Sequence, residues 1–141
     1  MLMANTCKLM DYVLFSSLIR HGQSVWNVKD PLKGHNIRFT GWANVALTDH
    51  GRAQAAAVGR CLKMFGLYPN AVYTSLLRRA RDSLDEMARH NPSMFKVPTI
   101  SSWRLNERHY GALVGMSKEE AGAKLGHDLV MGWRRSWNLA P

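Results

Sequence analysis

Hydrophobic and polar positions begin to order themselves at an apolar run over residues 12–19, long enough for one buried strand, which stops abruptly at Arg20-His21-Gly22. The stretch 28–38, with Asp30-Pro31, Gly34 and Asn36, reads as an exposed loop in which Lys29, Lys33, His35 and Arg38 face a ligand or water, water being the expectation. After Phe39-Thr40-Gly41-Trp42 a helical period starts. Thr48 is its expected N-cap and Asp49 sits in its first turn; Val58, Leu62 and Phe65 recur on a face filled out by Ala55, and Gly66 ends it. Pro69-Asn70 is a turn, and residues 71–73 predict a second strand. Thr74-Ser75 is expected to cap the next helix, whose inward stripe is Leu76, Ala80, Leu84 and Met87 and which Asn91-Pro92 stops. Residues 97–101 predict a third strand, shortened by Pro98. Ser117-Lys118-Glu119-Glu120 matches a capping box for a short helix closed by Gly126, and a last helix over about 128–136 carries Trp133 and Trp137 at a four-residue spacing.

A strand that ends on Arg-His-Gly is a way to deliver a reactive side chain. In open α/β sheets the ligand crevice lies beyond the carboxyl ends of the strands, so His21 is expected where a substrate sits, with Gly22 allowing close approach. Imidazole is a good nucleophile near neutral pH, and a neighbouring guanidinium biases it toward the neutral form while holding phosphate oxygens. That points to phosphoryl transfer through a phosphohistidine. The tripeptide alone is weak evidence of it and needs partners elsewhere in the chain.

Composition changes this picture in one respect. A chain of 141 residues can bury one core, so it is one domain or part of one, and 46% hydrophobic with 21% charged residues describes a soluble globular protein. The formal charge of 19 − 10 = +9 suits nucleic acid, an anionic membrane or anionic small molecules. The arginines are scattered beside Gly, His, Asn and Tyr in separate motifs, which fits convergence on a small phosphorylated ligand better than a nucleic-acid stripe or a membrane. Cys7 and Cys61 read as free thiols of a reducing compartment, and the amino-terminal apolar stretch is too short for a membrane span; cytoplasmic location is the expectation. Residues 1–11 read as an extension without periodicity, open to disorder.

Two further segments carry chemistry. Arg78, Arg79 and Arg81 crowd the first turn of the second helix, where the dipole disfavours cations, a placement that makes sense if an anion binds there. In Trp103-Arg104-Leu105-Asn106-Glu107-Arg108-His109-Tyr110-Gly111, seven of nine side chains can hydrogen-bond or carry charge. Glu107 is its only carboxylate and hence the candidate general acid.

From residue 17 onward these strings resemble the 2,3-bisphosphoglycerate-dependent phosphoglycerate mutases of the histidine phosphatase superfamily. The matches are Arg20-His21-Gly22-Gln23-Ser24-Val25-Trp26-Asn27, Phe39-Thr40-Gly41-Trp42, Tyr73-Thr74-Ser75 with Arg79-Ala80, the nine residues ending at Gly111, and Trp133-Arg134-Arg135-Ser136. The resemblance implies an α/β fold of three layers with a mainly parallel sheet, and interconversion of 3-phosphoglycerate and 2-phosphoglycerate primed by 2,3-bisphosphoglycerate. It implies that His21 is phosphorylated and that Glu107 donates and accepts the proton. Arg20, Ser24, Asn27, Thr40, Gly41 and Arg79 then surround the transferred phosphate, while Tyr110, Lys118, Arg134 and Arg135 meet the substrate's carboxylate and distal phosphate. No metal is implied, and a homo-oligomer is compatible with it.

The departures are equally specific. The family's second histidine, in a Gly-His-Gly-like loop on a later strand, has no counterpart in the sequence, and His50-Gly51 sits at a helix start instead. The 28–38 loop is longer than the usual link, and Ser83 stands where threonine is common. Residues 12–141 are therefore expected to be a mutase-like domain incomplete at its carboxyl terminus, inactive or weakly active by itself. A histidine phosphatase of broader specificity and a non-catalytic phosphate- or partner-binding fragment are the alternatives.

Overall fold

A computed structural model describes residues 16–28 and 37–141. It contains α1 (Asp49–Met64), β1 (Val72–Thr74), α2 (Arg78–His90), β2 (Thr99–Ser101), α3 (Lys118–Leu125) and α4 (His127–Arg135), with short 3-10 turns at Pro92–Lys96, Trp103–Leu105 and Gly111–Leu113. The extension 1–11, the first half of the expected strand at 12–15, Cys7, and Lys29, Lys33 and His35 lie outside the described residues. The architecture is the expected α/β class: a small parallel sheet with four helices.

Local signals explain most element boundaries. The Thr48 hydroxyl accepts the Gly51 N–H and so satisfies one of the amides that every helix start leaves orphaned. Ser117 does the same for Glu120 N–H at α3, and Gly126 closes that helix. β1 and β2 pair in parallel with Val72 opposite Thr99, Tyr73 opposite Ile100 and Thr74 opposite Ser101.

Two apolar clusters hold these elements. The first joins α1, α2 and the turn after α2 through Ala55, Met87, Ala88 and Met94, with Val58, Leu62, Val72 and Leu84 packed around them. Here α1 and α2 approach so closely that a Cβ on Gly59 would strike the Met87 backbone, which fixes the crossing point of the two helices. The second cluster seats α3 and α4 on the Phe39 loop through Phe39, Leu113, Ala121 and Val130, with Tyr110, Met116 and Trp133 at its edge.

Five expectations need correction. Residues 16–19 form no strand, and Leu18 is 100% exposed. A strand exists only where a neighbouring backbone accepts its hydrogen bonds, and among the described residues β1 pairs with β2 alone. Phe65 caps α1 from outside its packed face and is exposed. The second helix is not capped by Thr74-Ser75; Leu77 is its N-cap without a side-chain bond, while Ser75 Oγ accepts only from Leu77 N–H, within the turn. Its inward face is also rotated from the one the apolar residues suggested. Arg79, Ser83, Met87 and Ala88 are buried, whereas Leu76 precedes the helix and is exposed. At the far end, Trp137 falls past α4 and is 93% exposed, while Trp133 packs inward.

Candidate active site

His21 is held by both helices of the first cluster, although it belongs to neither. Thr48 N–H donates to the Gln23 carbonyl at 2.9 Å, and Gln23 N–H donates to Gln54 Oε1 of α1 at 2.9 Å. Gly22 lies flat against the start of α1, where a Cβ on either Gly22 or Gly51 would collide with the other segment's backbone. That contact is the physical reason for the glycine after His50, whose resemblance to a second catalytic loop is superficial. From the other side, Gly22 N–H donates to Ser83 Oγ of α2 at 3.0 Å.

The imidazole is fixed at both nitrogens. Nδ1 lies 2.7 Å from the Gly22 carbonyl, which can only accept, so Nδ1 carries the proton. Arg79 Nε donates to Nε2 at 3.2 Å, so Nε2 presents its lone pair. Burial, above all, pushes the His21 pKa below its ordinary 6.5; the Gly22 carbonyl opposes this, the Arg79 and Arg20 charges reinforce it, and Glu107 opposes it. The site thus favours a neutral imidazole with Nε2 available for attack.

Arg79 is the hub. Its side chain is 1% exposed, yet every donor group of the guanidinium has a partner: Nη1 donates to the Ala43 carbonyl at 3.1 Å, Nη2 to the Gly41 carbonyl at 2.9 Å and to Glu107 Oε2 at 2.7 Å. One arginine therefore draws the histidine loop, the Phe39-Thr40-Gly41-Trp42 loop and the Glu107 loop to one point. Of the three arginines at the start of α2 only this one turns inward; Arg78 and Arg81 are exposed.

Glu107 is aimed by its own backbone. The Trp42 indole N–H donates to the Glu107 carbonyl at 2.7 Å, and Trp42 packs against Trp103 and His109 at 6.4 and 5.5 Å. Lys118 lies within electrostatic reach of the same centre: burial lowers its pKa first, Arg134 next, and Arg20 and Arg135 add to this against the pull of Glu107. The remaining predicted residues serve the loops in this state. Ser24 is buried, and its hydroxyl donates to Asn27 Oδ1 at 2.6 Å; Thr40 is buried beside Gly41; the Tyr110 ring packs on Phe39 at 5.0 Å. Among the described residues no three His, Cys, Asp or Glu side chains gather as metal ligands.

A cleft of about 420 Å³ opens beside His21, but its walls are Arg20, Gly22, Ser83 and apolar side chains of α1 and α2 such as Val58 and Met87. Neither Arg79 nor Glu107 lines it. The chemistry therefore belongs to the polar side of the imidazole, where the arginine and the carboxylate meet.

A family model for the histidine phosphatase superfamily, branch 1, matches residues 17–141. The chain belongs to that superfamily. At the level of curated relatives it is 46% identical over 128 residues to a 2,3-bisphosphoglycerate-dependent phosphoglycerate mutase of Corynebacterium jeikeium, covering 88% of this chain and 46% of that one. To the mutase of the same name from Staphylococcus saprophyticus it is 46% identical over 124 residues, covering 88% and 51%. Among solved structures, a mycobacterial glucosyl-3-phosphoglycerate phosphatase in complex with VO3 superimposes with a TM-score of 0.68 at 27% identity, over 86% of this chain and 51% of that one. The chain spans about half the length of the curated relatives it matches. Within the superfamily fold, His21, Arg79 and Glu107 form one contact-linked group, and all three are among the residues singled out in the sequence.

Sequence reasoning passed over three contributors to that group. Trp42, read only as loop packing, reaches the Glu107 carbonyl through its indole N–H, and Gly51 acts through a backbone contact that no side-chain chemistry announces. Ser83 had a signal: it stands four residues after Arg79, one turn away on the same helix face.

Proposed function

We propose that the chain is the phosphohistidine-forming part of a 2,3-bisphosphoglycerate-dependent phosphoglycerate mutase. The observation that carries this reading is the His21 tautomer, with Nε2 unprotonated and facing Arg79 while Glu107 shares the same guanidinium. The donor set suits a molecule with two phosphates and a carboxylate. Arg20, Arg79, Lys118, Arg134 and Arg135 supply positive charge, and Glu107 is the carboxylate that acts on this centre. In this reading, bound 2,3-bisphosphoglycerate supplies the phosphoryl group.

His21 Nε2 forms the N–P bond as the ester P–O bond breaks, and the hydroxyl left behind takes the proton from Glu107. Arg79 stabilises the charge on the moving group because its guanidinium is already desolvated and needs no reorganisation. Its bond to His21 Nε2 must yield to the incoming phosphoryl group, so the same N–H passes from nitrogen to phosphate oxygen. Glu107 and phosphate then compete for Nη2. A phosphate gains the arginine as the carboxylate takes up its proton, which links binding to proton transfer.

The partner in this reading is a small phosphorylated acid. The dispersal of the basic residues among separate motifs favours that ligand over nucleic acid, and no helix among the described residues is long and apolar enough to cross a membrane. The sequence relatives favour a mutase, whereas the superimposed phosphatase favours release of phosphate to water; one experiment separates the two. The chain is incubated with 2,3-bisphosphoglycerate labelled in phosphorus, and label on His21, inorganic phosphate and 2-phosphoglycerate formed from 3-phosphoglycerate are followed together. Acid-labile label on His21 with isomerisation is the expected result, at a slow rate if the second histidine of the longer relatives is required. Rapid phosphate release without isomerisation would replace the mutase by a phosphatase, and no label on His21 would overturn both.

A further inference from the structure

We infer that Ser83 is a positioning residue that locks the His21 loop onto the helix carrying Arg79, and so keeps the attacking nitrogen in line with its guanidinium. The inference rests on the reading of His21 as phosphoryl acceptor and deepens it. Ser83 is 2% exposed and sits 61 residues away in sequence from the peptide it binds. Its hydroxyl is used in both directions. The oxygen accepts Gly22 N–H at 3.0 Å, and the O–H donates to the Arg79 carbonyl at 2.7 Å.

The consequence runs through a single residue. Gly22 is held at its N–H by Ser83 and at its carbonyl by His21 Nδ1, which sets the ring orientation and the tautomer. The same hydroxyl bonds the backbone of Arg79, whose side chain meets Nε2. Ser83 therefore ties the two partners of the nucleophile to each other without touching the reacting atoms. Removing it leaves a buried N–H without a partner, and the 21–22 peptide can recover one only by turning toward water, which changes the Gly22 φ and so shifts the next peptide's carbonyl away from Nδ1. The groups that face the imidazole, Arg79, Arg20 and Glu107, would remain, so the change isolates the ring's orientation from its charge environment.

Three substitutions test this in the 141-residue chain: Ser83→Ala removes the hydroxyl, Ser83→Val removes it and adds bulk, and Ser83→Thr keeps it with the same added bulk. The cleft beside Ser83 leaves room for the extra methyl. The readouts are the nitrogen chemical shifts of the His21 ring, its titration midpoint and the affinity for inorganic phosphate. The alanine and valine variants are expected to lose the Nδ1–H preference, to titrate still further below an unperturbed histidine because the Gly22 carbonyl no longer supports the protonated ring, and to bind phosphate about tenfold more weakly, a loss of the size expected for one buried hydrogen bond. Threonine should restore all three to within about twofold. Should valine prevent folding, the alanine and threonine pair carries the comparison. An unchanged ring tautomer and phosphate affinity in Ser83→Ala, or a threonine variant that behaves like alanine, would overturn the inference. Wild-type chain that takes label on His21 while the Ser83 variants match it in every readout would sink the positioning role alone. A tautomer that responds to Ser83 in a chain that never takes label would instead sink the mutase reading.

Discussion

The two sides of the site are built differently. Toward α1 and α2, the charge that matters is buried and fully partnered: Arg79 reaches four acceptors and His21 is tied at both ring nitrogens. Toward α3 and α4, Lys118 and Arg134 are half-buried, Arg135 is exposed, and none of the three has a carboxylate within ion-pair distance among the described residues. A desolvated cation is stable only where acceptors replace its water, so folding itself sets Arg79 in place with its acceptors. A cation left half in water can adjust to what it meets. The first arrangement suits a step in which charge moves and the environment must already be in place; the second suits recognition of a substrate's distal groups.

The largest effect expected from breaking this contrast is at Arg79. Arg79→Met should abolish measurable phosphate binding. It should also destabilise the chain by about 3 kcal/mol, as Gly41 and Ala43 carbonyls and the Glu107 carboxylate lose their buried donor; chemical denaturation and calorimetry read the two effects. A variant that still binds phosphate within about tenfold would remove Arg79 from the clamp.

Next comes Glu107, where the two effects have opposite signs. Glu107→Gln keeps a hydrogen-bond acceptor for Arg79 but removes the competing charge, so inorganic phosphate should bind several-fold more tightly. Isomerisation by a longer, complete relative carrying the equivalent change should fall by roughly 10²–10⁴-fold. Unchanged turnover would mean that another group manages the proton.

A smaller effect is expected on the α3–α4 side. Arg134→Gln or Lys118→Gln should weaken 3-phosphoglycerate by about tenfold while leaving inorganic phosphate within about twofold, since charge-assisted contacts to the distal group are lost and the clamp is untouched. Equal losses for both ligands would erase the division between the two sides.

The pH dependence follows from His21. Its pKa is lowered in the folded chain, so the unfolded chain, near 6.5, takes up the proton first. Stability is then complete above pH 6.5 and declines as pH falls through and below that value, until the folded histidine is protonated as well. A thermal midpoint that drops below pH 6.5 in wild type but less in His21→Ala is the expected result. The smallest effect belongs to Arg78, which is exposed and paired with Asp82 at 3.3 Å. Arg78→Ala should change stability by less than about 0.5 kcal/mol and phosphate affinity not at all, in contrast to its neighbour.

Most helix ends, and the three residues that meet at the candidate site, were legible in the sequence. His21, Arg79 and Glu107 stand in strings whose residue types state a purpose, and caps such as Thr48 and Ser117 act on amides only three residues away, so their information is local. Local periodicity could not decide which of Arg78, Arg79 and Arg81 turns inward, because it was read from Leu76, Ala80, Leu84 and Met87, while the buried face also takes in Arg79 and Ser83. Apolar residues normally mark the inside of a helix; here a polar pair does, since its partners arrive from segments up to 61 residues distant. The same non-locality undid the strand expected at 16–19, whose apolar residues predict burial but cannot supply the neighbouring backbone that a strand requires. Tertiary structure alone placed Gly51 against Gly22 and joined Ser83 to both the histidine loop and the arginine, because close approach and hydrogen-bond direction are properties of chains brought together and leave no period in the sequence.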